Sequence, residues 1–517
     1  RQDIPEYIEL CRKGAYASAL RLITEKNPLP FITGTICAHN CMTKCMRNYY
    51  DEPVNIRATK LVAAEKGYDA YMSKITPPAP VTDGRKVAVI GGGPTGMSAA
   101  YFVGRAGIPV TLFEKADRLG GIVRQVIPAF RISDEAIDKD VALMEKMGVE
   151  VKLNTEAPSV AELKAQGYTH IFFAVGAWKA GRLDIPGNVV PVIGWLRDMK
   201  AGKDVSLGHV AVVGGGNTAM DAARAALRAG AKSSTLVYRR TKKYMPADAE
   251  ELEMAIADGV EFLELVAPVE QKDGKLICEK MKLGDPDDKG RRKPVPTGEM
   301  VEIPCDTVVS AVGEKVESEV FTRNGITVDE KGIPAFKTNL EGVYAGGDAM
   351  RGPATVVEGI ADAQYFANAV IGEAHKFAIP AKAVATREEA VAKKGVLCES
   401  AKCEGDRCLT CNVVCQVCAD VCPNRANVVI ELPDGRQQIL HVDRMCNECG
   451  NCAVFCPYDS APYREKFTLF LTREGFDESV NNQGFLPLGG KKVLVRLDSK
   501  VFEADLDAKN DLPADIE

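Results

Sequence analysis

No run of 18 or more apolar residues occurs in the 517-residue chain, so no stretch is long enough to cross a bilayer as a helix. An excess of basic charge is missing too. Lys and Arg number 65 against 71 Asp and Glu, a net charge of -6, which leaves no overall basic face and excludes nucleic acid as an expected partner. The start carries no charged-then-apolar leader, so a secretory signal is not indicated and a cytoplasmic location is expected. Because the chain opens on Arg1 rather than Met, it is expected to be a fragment, a processed product or a portion of something longer. Length alone excludes a small stapled fold: 517 residues suit about three or four domains.

Cysteine is abundant but unevenly placed. Of 17, Cys11, Cys37, Cys41 and Cys45 stand near the start, Cys278 and Cys305 are isolated in the middle, and the rest crowd between Cys398 and Cys456. Disulfides scatter with a fold, whereas metal ligands bunch at short fixed spacings, so metal binding is the expectation. Residues 1–80 read as helical, over 4–11, 15–23 and 56–72, around a C-x3-C-x3-C array at Cys37, Cys41 and Cys45. Three thiolates so spaced could hold three corners of an iron-sulfur cluster, with Cys11 or a residue upstream of Arg1 as the fourth; the alternative is an array that only packs. His39, inside the array, reads as an ordinary loop residue.

The chain is organised around 86–100. Val87 to Ile90 is a short all-apolar run suited to a parallel strand buried on both faces, and Gly91, Gly93 and Gly96 then fill a G-x-G-x-x-G frame opening a helix at Pro94 and Thr95. In such a frame one glycine permits the tight turn, one lets the backbone approach a pyrophosphate and one lets helix and strand pack closely. The next apolar strand, Val110 to Phe113, ends in Glu114, where an acid bonds a ribose 2′-hydroxyl. A proline-rich linker at 75–84 precedes this unit, and a glycine-rich loop with three arginines and no helical stripe follows at 118–131. A buried strand then runs into Gly176.

A second frame, Gly214, Gly216 and Ala219 with Asn217 and Thr218 between, again joins an apolar strand to a helix. Here the next strand, Thr235 to Tyr238, runs into Arg239 and Arg240 rather than an acid. An acid would repel a 2′-phosphate, whereas a guanidinium fork pairs with it, so NADP(H) is expected. The alternative is a solvated basic turn. Strands are expected over 260–310, with a polar hairpin or loop at 285–293. A further strand then runs through Gly346 and Gly347 into Asp348, and Pro353 is expected to open a helix whose N-terminus faces an anion or an electron-rich ring. The order implies a first dinucleotide domain interrupted by a second and then resumed.

At the far end, Cys446, Cys449, Cys452 and Cys456-Pro457 fit the bacterial ferredoxin run C-x2-C-x2-C-x3-C-P, and Cys411, Cys415, Cys418 and Cys422-Pro423 form a near-copy with one extra residue. Two 4Fe-4S clusters are expected. The fourth Cys of each run crosses over, giving Cys411, Cys415, Cys418 and Cys456 for one, and Cys446, Cys449, Cys452 and Cys422 for the other. Cys408 competes with Cys411 as first ligand, while Cys398 and Cys403 have no reading. A zinc ribbon would strand the Cys-Pro cysteines.

Residues 1–375 resemble the small subunit of NADPH glutamate synthase and the N-terminal half of dihydropyrimidine dehydrogenase. The resemblance rests on Gly91-x-Gly93-x-x-Gly96 with Glu114, Leu119-Gly120-Gly121 through Ile127-Pro128 and Phe130-Arg131, Gly214-x-Gly216-Asn-Thr-Ala219 with Tyr238-Arg239-Arg240 and Met245-Pro246, and Gly346-Gly347-Asp348 with Pro353-Ala354-Thr355. It implies FAD on the first domain, Asp348 near its ribityl-phosphate, the Thr355 helix near its ring and the nicotinamide of NADPH stacked on that ring. Lys115, Arg124, Arg131 and Val356 join the cofactor-side residues on the same footing. This chain departs from that family by lacking a preceding run of cysteines and by carrying Lys60 where the family has Gln or Glu; a protonated lysine has no lone pair to give a metal. With the ferredoxin-like end, including Cys422-Pro-Asn-Arg-Ala-Asn427, the whole resembles the C-terminal half of the selenate reductase subunit family of the YgfK type.

The expected fold class is therefore α/β: two Rossmann-like domains with the NADP domain inserted in the FAD domain, an N-terminal α-helical domain and a C-terminal bacterial-type ferredoxin domain. Expected boundaries are 1–80 (helical, with the Cys array), 81–205 (FAD, first part), 206–315 (NADP(H)), 316–375 (FAD, second part), 376–397 (linker), 398–465 (ferredoxin) and 466–517 (β-rich extension, no chemistry assigned). The expected activity passes electrons from NADPH through FAD to the clusters and on to a redox partner protein or upstream domain, within a multi-subunit complex. No protein acid or base is expected at the hydride step. A disulfide reductase is discounted, since Cys278 and Cys305 form no C-x-x-C and no cysteine lies between Cys45 and Cys278. A docking subunit running in reverse, from reduced ferredoxin to NADP+, is the alternative.

Overall fold

The computed structural model describes residues 2–43, 45–49, 52–205, 207–286, 292–372, 400–408, 416–431, 437–456, 460–479, 482–497, 500–507 and 512. The expected linker at 376–397 and Cys398, Cys411 and Cys415 lie outside them. Two compact units are formed, one of Leu20–Ala38 and Lys60–His375, the other of Arg1–Ala19, His39–Thr59 and Lys376–Glu517.

The larger unit holds two parallel five-stranded sheets. Strands β1 (Val87–Ile90), β2 (Val110–Phe113), β3 (Glu150–Lys152) and β4 (His170–Phe173) belong to the first. β5 (Val189–Pro191), β6 (His209–Val213), β7 (Ser233–Tyr238), β8 (Glu261–Glu264) and β9 (Thr307–Ser310) make the second, and β10 (Val343–Ala345) returns to the first. The strand orders are β10-β4-β1-β2-β3 and β5-β9-β6-β7-β8, with every pairing parallel. All of the second sheet falls between β4 and β10 in the chain, which is the inserted arrangement the motif order implies. An antiparallel sheet of Val266–Lys272, Lys275–Pro286 and Arg292–Pro304 follows β8.

Helices α1 (Pro94–Arg105), α2 (Asn217–Arg228) and α3 (Val356–Ile371) cover these sheets. Every residue of β1 and β2 is buried, as parallel strands covered on both faces must be. Phe172 of β4 stacks on Phe366 of α3 with ring centroids 4.4 Å apart, joining the returning helix to the first sheet. Each such fully buried side chain contributes about 2 kcal/mol of transfer free energy.

Two local expectations are corrected. The 118–131 stretch is not all loop: Gly121–Gln125 is a short helix, entered through Gly120 at φ +119. It forms because Val123 and Arg124 are drawn into the interior, where Arg124 Nε donates to Leu119 O. Nor does Pro353 open the late helix. That helix begins at Val356, because Thr355 and Glu358 form a reciprocal capping box that satisfies two otherwise orphaned N–H groups.

In the other unit, helix Ile4–Arg12 packs against helix Ala401–Arg407. The segment after it builds a six-stranded sheet of Asn427–Glu431, Gln437–Val442, Thr468–Leu469, Gly484–Gly489, Lys492–Leu497 and Lys500–Asp505, in sequence order. The β-like runs at 467–471 and 491–496 are strands of that one sheet, held by a core of Phe470, Phe476, Leu486 and Leu494.

Candidate functional site

At the end of β1 the three glycines have three separate reasons to lack a side chain. Gly91 turns at φ +104, and a Cβ there would sit 2.5 Å from Ala174 O. At Gly96 a Cβ would sit 1.9 Å from Gly91 O, so glycine is what lets α1 touch β1. Gly93 is different: its nearest outside neighbour would be Gly121 Cα at 3.9 Å, which leaves the backbone bare toward an open face. Gly121 faces it, since a Cβ there would sit 2.8 Å from Gly93 Cα. Two glycine-walled turns and the N-terminus of a twelve-residue helix thus make a cradle that fits a pyrophosphate.

Glu114 closes one side. Its carboxylate accepts from Gly92 N at 2.7 Å and from Ala116 N at 2.7 Å, and it is buried. On the other side Thr95 touches the returning segment, because a Cβ on Gly347 or Gly359 would come within 2.3 or 2.2 Å of its Oγ1. Asp348 follows at once. Burial pushes its carboxyl up to about 6, partly offset by the Ala354 N–H that it accepts at 3.1 Å; Glu314, Glu358 and Asp362 add repulsion. Ala354 and Thr355 are exposed and Val356 is half-buried, so the first turn of α3 is open to a ligand. Asp362 serves the frame instead, accepting from Gly347 N at 2.9 Å and from Arg351 at 2.5 Å.

The arginines of the 118–131 stretch are engaged with protein. Arg124 donates to Leu119 O and pairs with Asp138 at 2.5 Å. Arg131 pairs with Asp221 at 2.6 Å and with Glu251 at 2.5 Å, both in the inserted module. Burial raises Asp221 to about 6 although Arg131 opposes it. Lys115 is exposed, Ile127 offers its carbonyl to Lys200 Nζ at 2.6 Å, and Gly176 turns at φ +75 beside Trp178. The carboxylate partners went unread in the sequence because they lie far along the chain.

The second cradle repeats the plan. At Gly214 a Cβ would sit 2.2 Å from Ala311 O, at Gly216 nothing lies within 4 Å, and Ala219 is fully buried. Asn217 Oδ1 accepts from Asp248 N at 3.0 Å, and Thr218 is half-buried. Strand register adds what the motif omits. Ile90 pairs with Phe113 and Val213 with Val237, so Tyr238 stands where Glu114 stands in the first module. Its ring takes the carboxylate's place, since a Cβ on Gly215 would meet Tyr238 Cε2 at 2.5 Å. Arg239 beyond it is exposed, and Arg240 keeps a buried Nε with no hydrogen-bond partner among the described residues. An orphaned, permanently charged donor beside a dinucleotide turn fits a 2′-phosphate.

Cys278 and Cys305 are both fully buried in an apolar core with Val308, and burial pushes their thiols up to about 12 and about 11. Neither is placed as an attacking thiolate.

Among the cysteines of the far end, Cys418 and Cys452 are buried together against Ile439. Burial raises the Cys446 thiol, and the nearby Cys452 and Cys422 add to the effect. Backbone donors reach these sulfurs: Ala426 N to Cys422 Sγ at 3.2 Å and Glu448 N to Cys446 Sγ at 3.3 Å. Cys449 is exposed and Cys456 half-buried. Among the described residues no three Cys, His, Asp or Glu side chains converge on a single-ion site. Near the start, Cys37, Cys41 and Cys45 are half-buried, whereas Cys11 is fully buried.

The family model described as pyridine nucleotide-disulphide oxidoreductase matches residues 85–363, and the one described as dihydropyrimidine dehydrogenase domain II, 4Fe-4S cluster, matches residues 1–70. The Escherichia coli (strain K12) oxidoreductase YgfK is 41% identical over 100% of this chain and 53% of its own length. The beta subunit of the NADPH-Fe(3+) oxidoreductase of Geobacter sulfurreducens is 35% identical over 73% of this chain and 61% of its own length. The glutamate synthase [NADPH] small chain of Escherichia coli (strain K12) is 31% identical over 71% of this chain and 85% of its own. The chain thus spans about half the length of YgfK. It belongs to the pyridine nucleotide-disulphide oxidoreductase family, among the NADPH-dependent FAD and iron-sulfur oxidoreductases.

Proposed function

We propose that this chain takes reducing equivalents from NADPH at the inserted module and delivers them one at a time, through iron-sulfur clusters, to a partner protein or upstream domain, as in a selenate reductase-like or other molybdoenzyme system. FAD would be held by Gly91, Gly93, Gly96, Glu114, Asp348 and the Thr355 turn, and NADPH by Gly214, Gly216, Arg239 and Arg240. Bound there, FAD would supply the chemistry that nicotinamide and clusters lack, accepting two electrons together and releasing them singly.

The chain's own part is positioning. Glu114 orients the Gly92 N–H and offers its remaining lone pairs to a ribose. Arg240 selects for a 2′-phosphate, and the capped α3 directs its positive end at the open face between the returning segment and α1. Two 4Fe-4S clusters would be carried by Cys411, Cys415, Cys418 and Cys456, and by Cys446, Cys449, Cys452 and Cys422. The proximity of Cys422 to Cys446 supports that crossing-over. A third would use Cys37, Cys41 and Cys45.

The observation that carries this reading is the contrast between an acid-closed cradle and an arginine-closed one within a single inserted architecture. Anaerobic NADPH added to the purified chain should bleach the flavin absorbance, and NADH at the same concentration should do so far more slowly. Flavin that stays oxidised under NADPH overturns the reading, and bleaching only by reduced ferredoxin supports the reverse flow.

A further inference from the structure

Asn427, at the end of the Cys422-Pro-Asn-Arg-Ala-Asn427 motif, has no part in the reading above, yet the fold buries it. It is 4% exposed and opens the strand Asn427–Glu431, where it pairs directly across the antiparallel ladder with His441, 2% exposed. Side chains alternate between the faces of a strand, so Asn427 and His441 share a face with the pair Val429 and Ile439. That face lies on the cysteines: Cys418 and Cys452 are buried against Ile439, with Val429 packed beside them. Two polar side chains within such an apolar cover cost stability unless their hydrogen bonds are made.

The bonds are made in series. Asn427 Nδ2 donates to Cys418 O at 3.0 Å, and Asn427 Oδ1 lies 2.9 Å from His441 Nδ1. This order fixes the hydrogens. An amide turned the other way would set Oδ1 against the Cys418 oxygen, two acceptors face to face, so the amide nitrogen points at Cys418 and Oδ1 at the ring. Oδ1 only accepts, and His441 Nδ1 therefore carries the hydrogen. Burial holds His441 below its ordinary value, although Asp443 and Glu448 act the other way.

One residue earlier, Ala426 N donates to Cys422 Sγ at 3.2 Å, and Ala426 O accepts from Val442 N at 2.7 Å. The start of this strand thus holds two cysteines, Cys418 by its carbonyl and Cys422 by its sulfur. On the assignment proposed above, they serve different clusters. The Asn427 amide also masks the negative end of the Cys418 carbonyl, which would otherwise oppose an electron added to the cluster at that cysteine.

We propose that Asn427, aimed by His441, is a positioning residue of the ferredoxin region: its amide holds the Cys418 carbonyl and raises the midpoint potential of the cluster that Cys418 ligates. This rests on the iron-sulfur reading above but not on the NADPH reaction.

The test is iron content together with a redox titration followed by electron paramagnetic resonance on the full chain, for Asn427→Leu, His441→Leu, His441→Asn and Val428→Ala. Asn427→Leu keeps the size of the side chain and loses the donor. One four-iron signal should then be about tenfold harder to reduce, a fall of about 59 mV in its midpoint. His441→Leu should move the same signal in the same direction, because the amide loses the group that aims it. His441→Asn places an N–H where Nδ1 stands and should stay near the parent. Val428, in the same strand, is exposed, and Val428→Ala should match the parent. Loss of about four irons from the two leucine variants, with His441→Asn and Val428→Ala still loaded, supports the proposal equally. Midpoints that stay at the parent's in both leucine variants overturn it. So does a shift in His441→Asn as large as that in His441→Leu, or iron lost from Val428→Ala as well. A parent chain without two four-iron signals defeats the ferredoxin reading itself and this proposal with it, an outcome distinct from unmoved midpoints in a loaded protein.

Discussion

The two glycine cradles share one backbone plan and differ at the register position that closes each of them. In the first, the residue after β2 is Glu114, whose carboxylate binds the Gly92 N–H at 2.7 Å; in the second, the equivalent residue is Tyr238, whose ring fills the space against Gly215. A carboxylate there favours a free ribose hydroxyl and opposes a phosphate, whereas an apolar ring leaves the field to the arginines that follow. On the proposed assignment of the two cradles, cofactor choice would be written beside the glycine motif rather than within it.

The hardest blow to the comparison is Gly96→Val. A side chain would meet Gly91 O at 1.9 Å and force α1 off β1, while the matching position of the second module already holds alanine. Flavin should be lost on purification and stability should fall by about 3 kcal/mol, whereas Ala219→Gly should leave flavin content unchanged. Absorbance spectra and urea denaturation of the two variants read both effects. Retained flavin in Gly96→Val would show that the two turns are not built alike.

Cutting the charged tie between the modules comes next. Arg131→Ala takes from Asp221 and Glu251 the guanidinium they share at 2.6 and 2.5 Å and leaves them the more distant Arg224, 3.8 Å from Glu251. The expected loss is again about 3 kcal/mol, because two buried carboxylates lose their close partner and only the more distant Arg224 opposes their charge. Arg131→Met with Asp221→Asn and Glu251→Gln should recover most of it, and thermal melts of the series separate the two cases.

A smaller and more specific effect is expected of Arg240→Ala. Loss of a charge-assisted bond to the 2′-phosphate should raise the KM for NADPH by about tenfold to a hundredfold and leave that for NADH nearly unchanged. Adding Tyr238→Glu, which copies the first module, should turn the preference toward NADH. Steady-state kinetics with both nucleotides decides it; equal losses for both would assign Arg240 a purely structural role.

What was legible in the sequence is what physics forces locally. Strands buried on both faces must be apolar and phosphate turns must be bare, so β1, β6, the glycine frames and the inserted order could all be read directly. Tyr238 as the counterpart of Glu114 could not, because register depends on which strand pairs with which. Arg124 and Arg131 stood on the cofactor side by resemblance alone, and their carboxylate partners Asp138, Asp221 and Glu251 come from elsewhere in the chain, where no local pattern announces them. Thr355 and Glu358 had the spacing of a capping box, yet Pro353 drew attention as the stronger helix opener. The packing of 401–407 on 4–12 left no local trace at all.

The smallest expected effect compares the two buried aspartates, one in each module, both pushed up to about 6 by burial. Asp221 faces Arg131, but among the described residues Asp348 has the Ala354 N–H alone, and Glu314, Glu358 and Asp362 repel its charge. A carboxyl that titrates higher folded than unfolded holds its proton better in the native state. Its contribution is fully present below about pH 4, where both states are protonated, and is lost as pH rises through about 6. Above that pH the folded protein carries a buried charge that the unfolded chain would solvate. Asp348→Asn removes the charge without changing the shape, so it should match the parent below about pH 4 and exceed it above pH 6 by about 2 kcal/mol, after allowance for partial exposure. Asp221→Asn should instead lose stability at neutral pH, since Arg131 then lacks one of its two partners. Urea midpoints followed across that range test the sign directly: if Asp348→Asn is the less stable protein at neutral pH, the Asp348 carboxylate is held by more than the one N–H, and the two modules treat their buried acids alike.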